Sequence, residues 1–125
     1  MAKKIIHTEN APKAIGPYSQ AVEINGMLFI SGQIPVIPST GEVPSGIEAQ
    51  TEQVMKNISA ILKEAGYEFK DIVKTTCLLS DIANFVPMNE VYAKYFPTEC
   101  PARAAFAVKD LPKGVLVEIE SIAVK

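Results

Sequence analysis

Asn25-Gly26 is the feature that most restricts how this chain can fold. The pair separates two runs of strand-forming residues, Tyr18 to Ile24 and Met27 to Ser31. Asn and Gly both tolerate the positive φ of a two-residue turn whose twist matches its flanking strands, so the dipeptide predicts a β-hairpin. Gly32-Gln33-Ile34-Pro35 ends the second strand, and the Pro/Gly/Ser-rich stretch from Pro38 to Gly46 reads as an exposed loop. Ser45-Gly46-Ile47-Glu48 has capping-box spacing. The helix it opens carries Val54, Ile58, Ile61, Leu62 and Ala65 on one stripe, and Gly66 suits its C-terminal stop. Ile72 to Leu79 reads as a strand. A second helix starts near Asn84, tolerates Pro87 in its first turn and runs to Phe96, with Met88, Val91 or Tyr92, and Tyr95 on its apolar stripe. Ala102 to Val108 and Val115 to Val124 read as the closing strands. This order predicts an α+β fold, with the two helices on one face of a sheet. At 125 residues, 1-125 is expected to form a single domain able to bury its own core.

Charge narrows the function. The net charge is −2, and no basic run extends beyond Lys3-Lys4, so the electrostatic footprint of a nucleic-acid binder is missing. The N-terminus passes through only Ile5-Ile6 before His7-Thr8-Glu9-Asn10, which gives no apolar core for a signal peptide, and no stretch approaches membrane-spanning length. A cytoplasmic location is the expectation. Cys77 and Cys100 share no metal or redox spacing, and His7 is the only histidine, so neither a Cys–His nucleophile nor a histidine metal cluster is expected. Cys77, in an apolar run, reads as a small buried hydrophobe, Cys100 as a turn residue, and His7 as a solvated side chain.

Arg103 stands apart as the only arginine; the other eleven basic residues are lysines. It lies in Pro101-Ala102-Arg103-Ala104-Ala105-Phe106-Ala107-Val108, a segment that reads as a buried or half-buried strand. Strand alternation places Arg103 on one face with Ala105 and Ala107, whose small side chains leave room beside it. A planar guanidinium grips a carboxylate or phosphate with two parallel hydrogen bonds. The other reading is an edge-strand arginine that neutralises a neighbouring Asp or Glu.

The last strand carries a second unusual pattern. Val117, Ile119, Ser121 and Ala123 share a face suited to packing under helices, while Leu116, Glu118, Glu120, Ile122 and Val124 share the other. That second face is too apolar for a plain wet surface and too acidic for a core, and it suits a subunit interface containing a polar pocket. Two carboxylates among apolar side chains disfavour each other's ionisation, which could leave one able to exchange protons near neutral pH. The alternative is a solvated rim glutamate beside one that pairs with a lysine.

Gly16-Pro17-Tyr18-Ser19-Gln20-Ala21, Ser31-Gly32-Gln33-Ile34-Pro35, Gln50-Thr51-Glu52-Gln53, Asn89, Pro101-Ala102-Arg103 and Val117-Glu118-Ile119-Glu120 together resemble the Rid (YjgF-type) family. The resemblance runs in order from about Ala11 to Val124 and is closest to the RidA subgroup, the 2-iminobutanoate/2-iminopropanoate deaminases. It implies a chorismate-mutase-like subunit with a mixed β-sheet, and a homotrimer with three clefts between subunits. It assigns Arg103 to the substrate carboxylate and Glu120 to the hydrolytic water. Tyr18, Ser31, Gly32, Asn89 and the backbone of Ala105 are assigned to the lining of the cleft. No metal or organic cofactor is implied, and neither nucleic acid nor membrane is an expected partner.

One position departs from the pattern. Many close relatives carry cysteine two residues after the arginine, where this chain has Ala105. Hydrolysis of an already electrophilic imine needs no covalent nucleophile, so only the backbone of that residue is expected to matter. The implied reaction converts 2-imino acids, released by PLP-dependent dehydratases and damaging to other enzymes, into 2-keto acids and ammonia. Two other readings stand beside it: a trimeric module that binds 2-keto acids without turnover, and the RNA-directed role attached to some relatives.

Overall fold

The hairpin forms where Asn25-Gly26 predicts it, with φ of 53° at Asn25 and 74° at Gly26 and with Ile24 facing Met27 across the turn. The computed structural model describes residues 2–125. Its strands are β1 (Lys4–Ile6), β2 (Ala21–Ile24), β3 (Met27–Gln33), β4 (Ile72–Leu79), β5 (Ala102–Ala107) and β6 (Val117–Val124), with helices α1 (Ile47–Ala65) and α2 (Phe85–Tyr92). They build one mixed sheet in the order β1-β2-β3-β6-β4-β5, in which only β4 and β5 run parallel. The architecture is the expected α+β. No helix of the described residues is long and apolar enough to cross a membrane.

Several boundaries differ from the sequence expectation, each for a local reason. β1 has no counterpart in it, because three residues of which only Ile6 is buried leave no periodicity to read. β2 begins at Ala21 rather than Tyr18. The buried side chain of Gln20 instead accepts from the Thr8 N–H at 2.7 Å and donates to the carbonyls of Thr8 and Pro12 at 3.0 and 2.8 Å. Those bonds hold the preceding segment beside the sheet and not within it. α1 begins at Ile47 without the capping box expected from Ser45 and Glu48. Gly46 occupies the N-cap at φ 90°, a conformation open to glycine, and its carbonyl accepts the Gln50 N–H at 3.0 Å. The helix expected up to Phe96 is α-helical only to Tyr92 and tightens into a 3-10 turn over Ala93–Tyr95. That turn swings Phe96 into an aromatic cluster, 4.8 Å from Tyr92 and 5.7 Å from Phe69 between ring centres.

β5 is a larger correction. The apolar composition of 102–108 reads as a buried or half-buried strand, but Ala102, Arg103, Phe106 and Ala107 are exposed. β5 lies at the end of the sheet with β4 on one side only. Small residues there reflect an edge and not an interior.

The core lies between the sheet and the helices. On β6, Val117, Ile119, Ser121 and Ala123 are buried beneath the helices, as alternation predicts. α1 packs over β3 and β6 through Val54, Ile58, Ile61 and Leu62, all essentially without solvent contact. Each such aliphatic side chain contributes about 1.5–3 kcal/mol on burial. Asn57, on the same helix, ties the core to the segment after β3. Its amide donates at 3.1 Å to the carbonyls of both Ile34 and Val36, while Gln53 donates to its oxygen at 2.9 Å. Asn57→Ala would leave both carbonyls without that donor and is expected to cost roughly 2–3 kcal/mol, measurable as a lower midpoint in urea denaturation. An unchanged midpoint would show that solvent satisfies them equally well.

Candidate functional site

Register fixes which side chains can meet. Thr75 faces Arg103 on β5 and Ser121 on β6, and Ser121 in turn faces Ile30 on β3. Thr75, Ser121 and Ile30 are buried under the helices, so Arg103 belongs to the helix side of the sheet. The next residue along β4, Thr76, faces Glu120. Alternation puts that row on the opposite, open side. Within one chain, Arg103 and Glu120 therefore point away from each other.

On the helix side, Arg103 and Asn89 come together within one chain. Nη1 of Arg103 donates to Asn89 Oδ1 at 2.6 Å, and the guanidinium carbon lies 5.3 Å from the Phe85 ring centre and 5.0 Å from that of Tyr92. Among the described residues no carboxylate makes an ion pair with Arg103. Its placement therefore does not match an arginine that neutralises an Asp or Glu of its own chain. Arg103 and Asn89 line a cavity of about 300 Å³ with Tyr92, Phe96, Cys100 and Pro101. Asn89, a solvated helix residue when judged alone, is half-buried and committed to the arginine. Phe85 and Tyr92 were not expected in this role. Their spacing of seven along α2, with Asn89 between, puts all three on one helix face, but nothing in the sequence says that this face meets Arg103.

Ala105 lies two residues on from Arg103, half-buried and opposite Cys77. Burial pushes the Cys77 thiol up to about 11, against the opposing pull of the nearby Arg103 guanidinium, so it stays protonated and matches the inert role expected of it. Cys100 is exposed and donates to the Phe96 carbonyl at 3.4 Å. His7 is exposed and contacts Glu9 at 3.2 Å, as a solvated histidine would. Among the described residues no cluster of three or more His, Cys, Asp or Glu side chains converges to hold a metal ion.

The remaining candidates gather around β3. Pairing of β3 with β6 shifts register between Ile30 and Gln33, which leaves Ser31 and Gly32 in an irregularity of the kind often found beside functional sites. The Ser31 hydroxyl donates to the Ser19 carbonyl at 2.6 Å and its N–H to the Gln20 carbonyl at 2.9 Å, which braces the segment bearing Tyr18. Tyr18 is 54% exposed, and it shares with Gly32, Ile15, Gln20 and Val36 a cavity of about 520 Å³. Gly32 lies close under Glu118: a Cβ there would fall 2.0 Å from Glu118 Oε2 and 2.9 Å from Glu118 Cδ, so a larger residue would force the Glu118 side chain to shift. The Glu118 carboxylate thus seats directly on the Gly32 backbone. Glu120 is exposed and lines a separate cavity of about 250 Å³ with Phe29, Lys74, Thr76 and Ile122. Site residues expected in one cleft are thus distributed over three surfaces of a single chain.

Glu118 is half-buried on the open side of β6. Burial first, and Glu120 second, hold its carboxyl above the ordinary range. A carboxyl whose pKa is higher in the folded than in the unfolded chain binds its proton more tightly when folded. The stability it contributes is then fully present in acid and is lost as pH rises through the raised folded value. Glu118→Gln mimics the protonated acid, so it should match the native chain in acid and become the more stable of the two as pH climbs from about 4 toward neutrality. Denaturation curves of both across that range provide the check, and a pH-independent difference would contradict it.

The family described as Endoribonuclease L-PSP matches residues 8–125. A RutC family protein of Pyrococcus horikoshii is 56% identical over 124 residues, covering 98% of each chain. The 2-iminobutanoate/2-iminopropanoate deaminase of Mus musculus is 50% identical over 124 residues, covering 98% of this chain and 92% of its own. Among solved structures, that of E. coli TdcF with bound serine superposes with a TM-score of 0.94 at 45% identity and covers 98% of both chains. The chain belongs to the Endoribonuclease L-PSP family, that of the Rid (YjgF-type) proteins.

Proposed function

We propose that this protein hydrolyses reactive 2-imino acids, 2-iminobutanoate and 2-iminopropanoate among them, to 2-keto acids and ammonia. One observation carries the reading: the single arginine is oriented by Asn89 and two aromatic rings, and among the described residues it makes no ion pair with a carboxylate. A fork so held is suited to a carboxylate brought by a ligand. The name of the mouse relative specifies imino acids of this class, and the E. coli structure was obtained with serine, which carries a carboxylate of comparable size.

In the proposed reaction, Arg103 grips the substrate carboxylate and so sets the imine carbon at a fixed distance. Water adds to that carbon while Glu120 takes up its proton, giving a carbinolamine. Glu120 then returns its proton to nitrogen, and as the C–N bond breaks with its electron pair leaving on nitrogen the carboxylate accepts the hydroxyl proton, so that ammonia departs and a ketone remains. Tyr18, Ser31, Gly32 and the backbone of Ala105 would complete the walls. Orientation and general base catalysis suffice for so electrophilic a substrate, the latter contributing on the order of 10²–10⁴-fold.

Arg103 and Glu120 lie on opposite sides of one sheet, so this reaction needs a second copy of the chain to bring them together. A homotrimer of chorismate-mutase-like subunits, with the open face of each sheet turned inward and clefts between neighbours, meets that need. The mixed face of β6 supports it, since Ile122 and Glu118 are half-buried even in one chain and Phe29 and Val124 are exposed apolar side chains nearby. Light scattering should report a trimer at micromolar concentration, and a stable monomer would remove the intersubunit site.

The decisive assay generates the imine with a serine or threonine dehydratase and follows its decay with and without this protein. Arg103→Lys keeps the charge but loses the fork, and a charge-assisted bond contributes about 1.5–3 kcal/mol, so kcat/KM should fall roughly tenfold to a hundredfold. Glu120→Gln should lower kcat and leave binding of 2-ketobutanoate largely intact. Full activity in Arg103→Lys would defeat the reading. Keto-acid binding without turnover would favour a sensor, and ribonuclease activity lost in Arg103→Ala would favour the RNA-directed role.

A further inference from the structure

Arg103 is gripped from one side by a single stripe of α2. Phe85, Asn89 and Tyr92 follow one another at intervals of four and three residues, so they share a helix face. Asn89 takes one guanidinium hydrogen at 2.6 Å, while Phe85 and Tyr92 place their rings 5.3 and 5.0 Å from the guanidinium carbon. Both rings are within cation–π range. Tyr92 is itself fixed: its hydroxyl shares a 2.7 Å hydrogen bond with Thr75 Oγ1, its ring packs against Phe96, and it is only 7% exposed. Thr75 stands opposite Arg103 in the β4–β5 register. The contacts therefore close a loop, from the Arg103 backbone through Thr75 and Tyr92 to the Arg103 guanidinium.

We infer that Phe85 and Tyr92 are positioning residues that hold the Arg103 fork rigid before any ligand arrives, with Asn89 fixing its rotation about the rings. An arginine on an exposed edge strand would otherwise sample many rotamers and surrender that freedom on binding. Aromatic faces can restrain it because guanidinium is planar, delocalised and weakly hydrated. An ammonium group lacks the planarity and the fork, which accounts for one arginine in a chain that elsewhere uses lysine. The carboxylate as the object of this fork rests on the deaminase reading; the clamp does not.

A sole arginine gives a single guanidinium Nε–Hε resonance in an ¹⁵N spectrum, so its state can be read without ambiguity. In the native protein that resonance should be displaced by ring currents from the position of free arginine and show a high order parameter. Phe85→Leu removes one ring and keeps an apolar side chain. It should move the resonance toward the free position, lower its order, and weaken 2-ketobutanoate binding roughly 3- to 20-fold, with the loss appearing in KM for the imine and little in kcat. Phe85→Tyr should restore all of these. Tyr92→Phe, which keeps the core packed and removes only the bond to Thr75, should give a smaller change in the same direction.

An unchanged Nε–Hε shift and order in Phe85→Leu, or failure of Phe85→Tyr to restore them, would overturn the proposal. So would a resonance that responds while keto-acid affinity does not. A native protein that shows the ordered resonance, binds 2-ketobutanoate and releases no ammonia from the imine would sink the deaminase reading alone and leave the clamp standing.

Discussion

The structure depends on the insertion of β6 between β3 and β4. The last strand of the chain is hydrogen-bonded on both sides, so it joins the N-terminal hairpin to the β4–β5 pair in one sheet. Its alternation then sets the chemistry of both faces at once. Val117, Ile119, Ser121 and Ala123 close the core, and Glu118, Glu120 and Ile122 are forced to the other side. A one-residue slip would drive two carboxylates under the helices and expose the aliphatic row, at a cost no small domain could absorb. The placement of the acids is thus a consequence of the core and needs no separate cause.

The same rows govern what one chain can and cannot assemble. Arg103 shares its row with Thr75 and Ser121, and Glu120 shares the next row with Thr76. Neighbouring rows face opposite ways, and Arg103 is further committed to the helix side by Asn89, Phe85 and Tyr92. Chemistry that uses both groups on one small molecule must therefore be done between copies. The open face has the composition for such contact, since it mixes Phe29 and Ile122 with Lys74, Thr76 and Glu120.

Much of this was legible before any coordinates. Asn25-Gly26 specified the hairpin because its two residues tolerate a backbone that few others do. The two faces of β6 followed from strict alternation over eight residues, and α1 from an apolar stripe running from Val54 to Ala65. What escaped was local or tertiary. β1 is too short for any period to show, and the start of α1 turned on Gly46 adopting a positive φ in place of a serine cap. β5 looked interior because alanine suits both a crowded core and an uncrowded edge. Arg103 announced itself by rarity. Its clamp lay outside linear reasoning, because pairing Phe85 and Tyr92 with an arginine on another element requires knowing that α2 crosses β5. The Gly32–Glu118 contact is of the same kind, since it joins positions 86 residues apart in the chain.

Ala105 bears on how the proposed chemistry could run. Neither cysteine can stand in for a thiol at that position. Cys77 lies in the adjacent strand but is fully buried and held protonated, while Cys100 donates to a backbone carbonyl in a turn. Neither thiol occupies the position beside Arg103 that Ala105 holds. An imine carbon conjugated to a carboxylate is already a strong electrophile, so the catalyst has only to hold the substrate and present water with a base beside it. On the proposed reading those demands call for a fixed geometry and a base, not for a covalent nucleophile, and the aromatic clamp would hold Arg103 in that geometry. Ala105, on the same reading, needs to contribute only its backbone, and the side chains that hold Arg103 in place matter more than a thiol would.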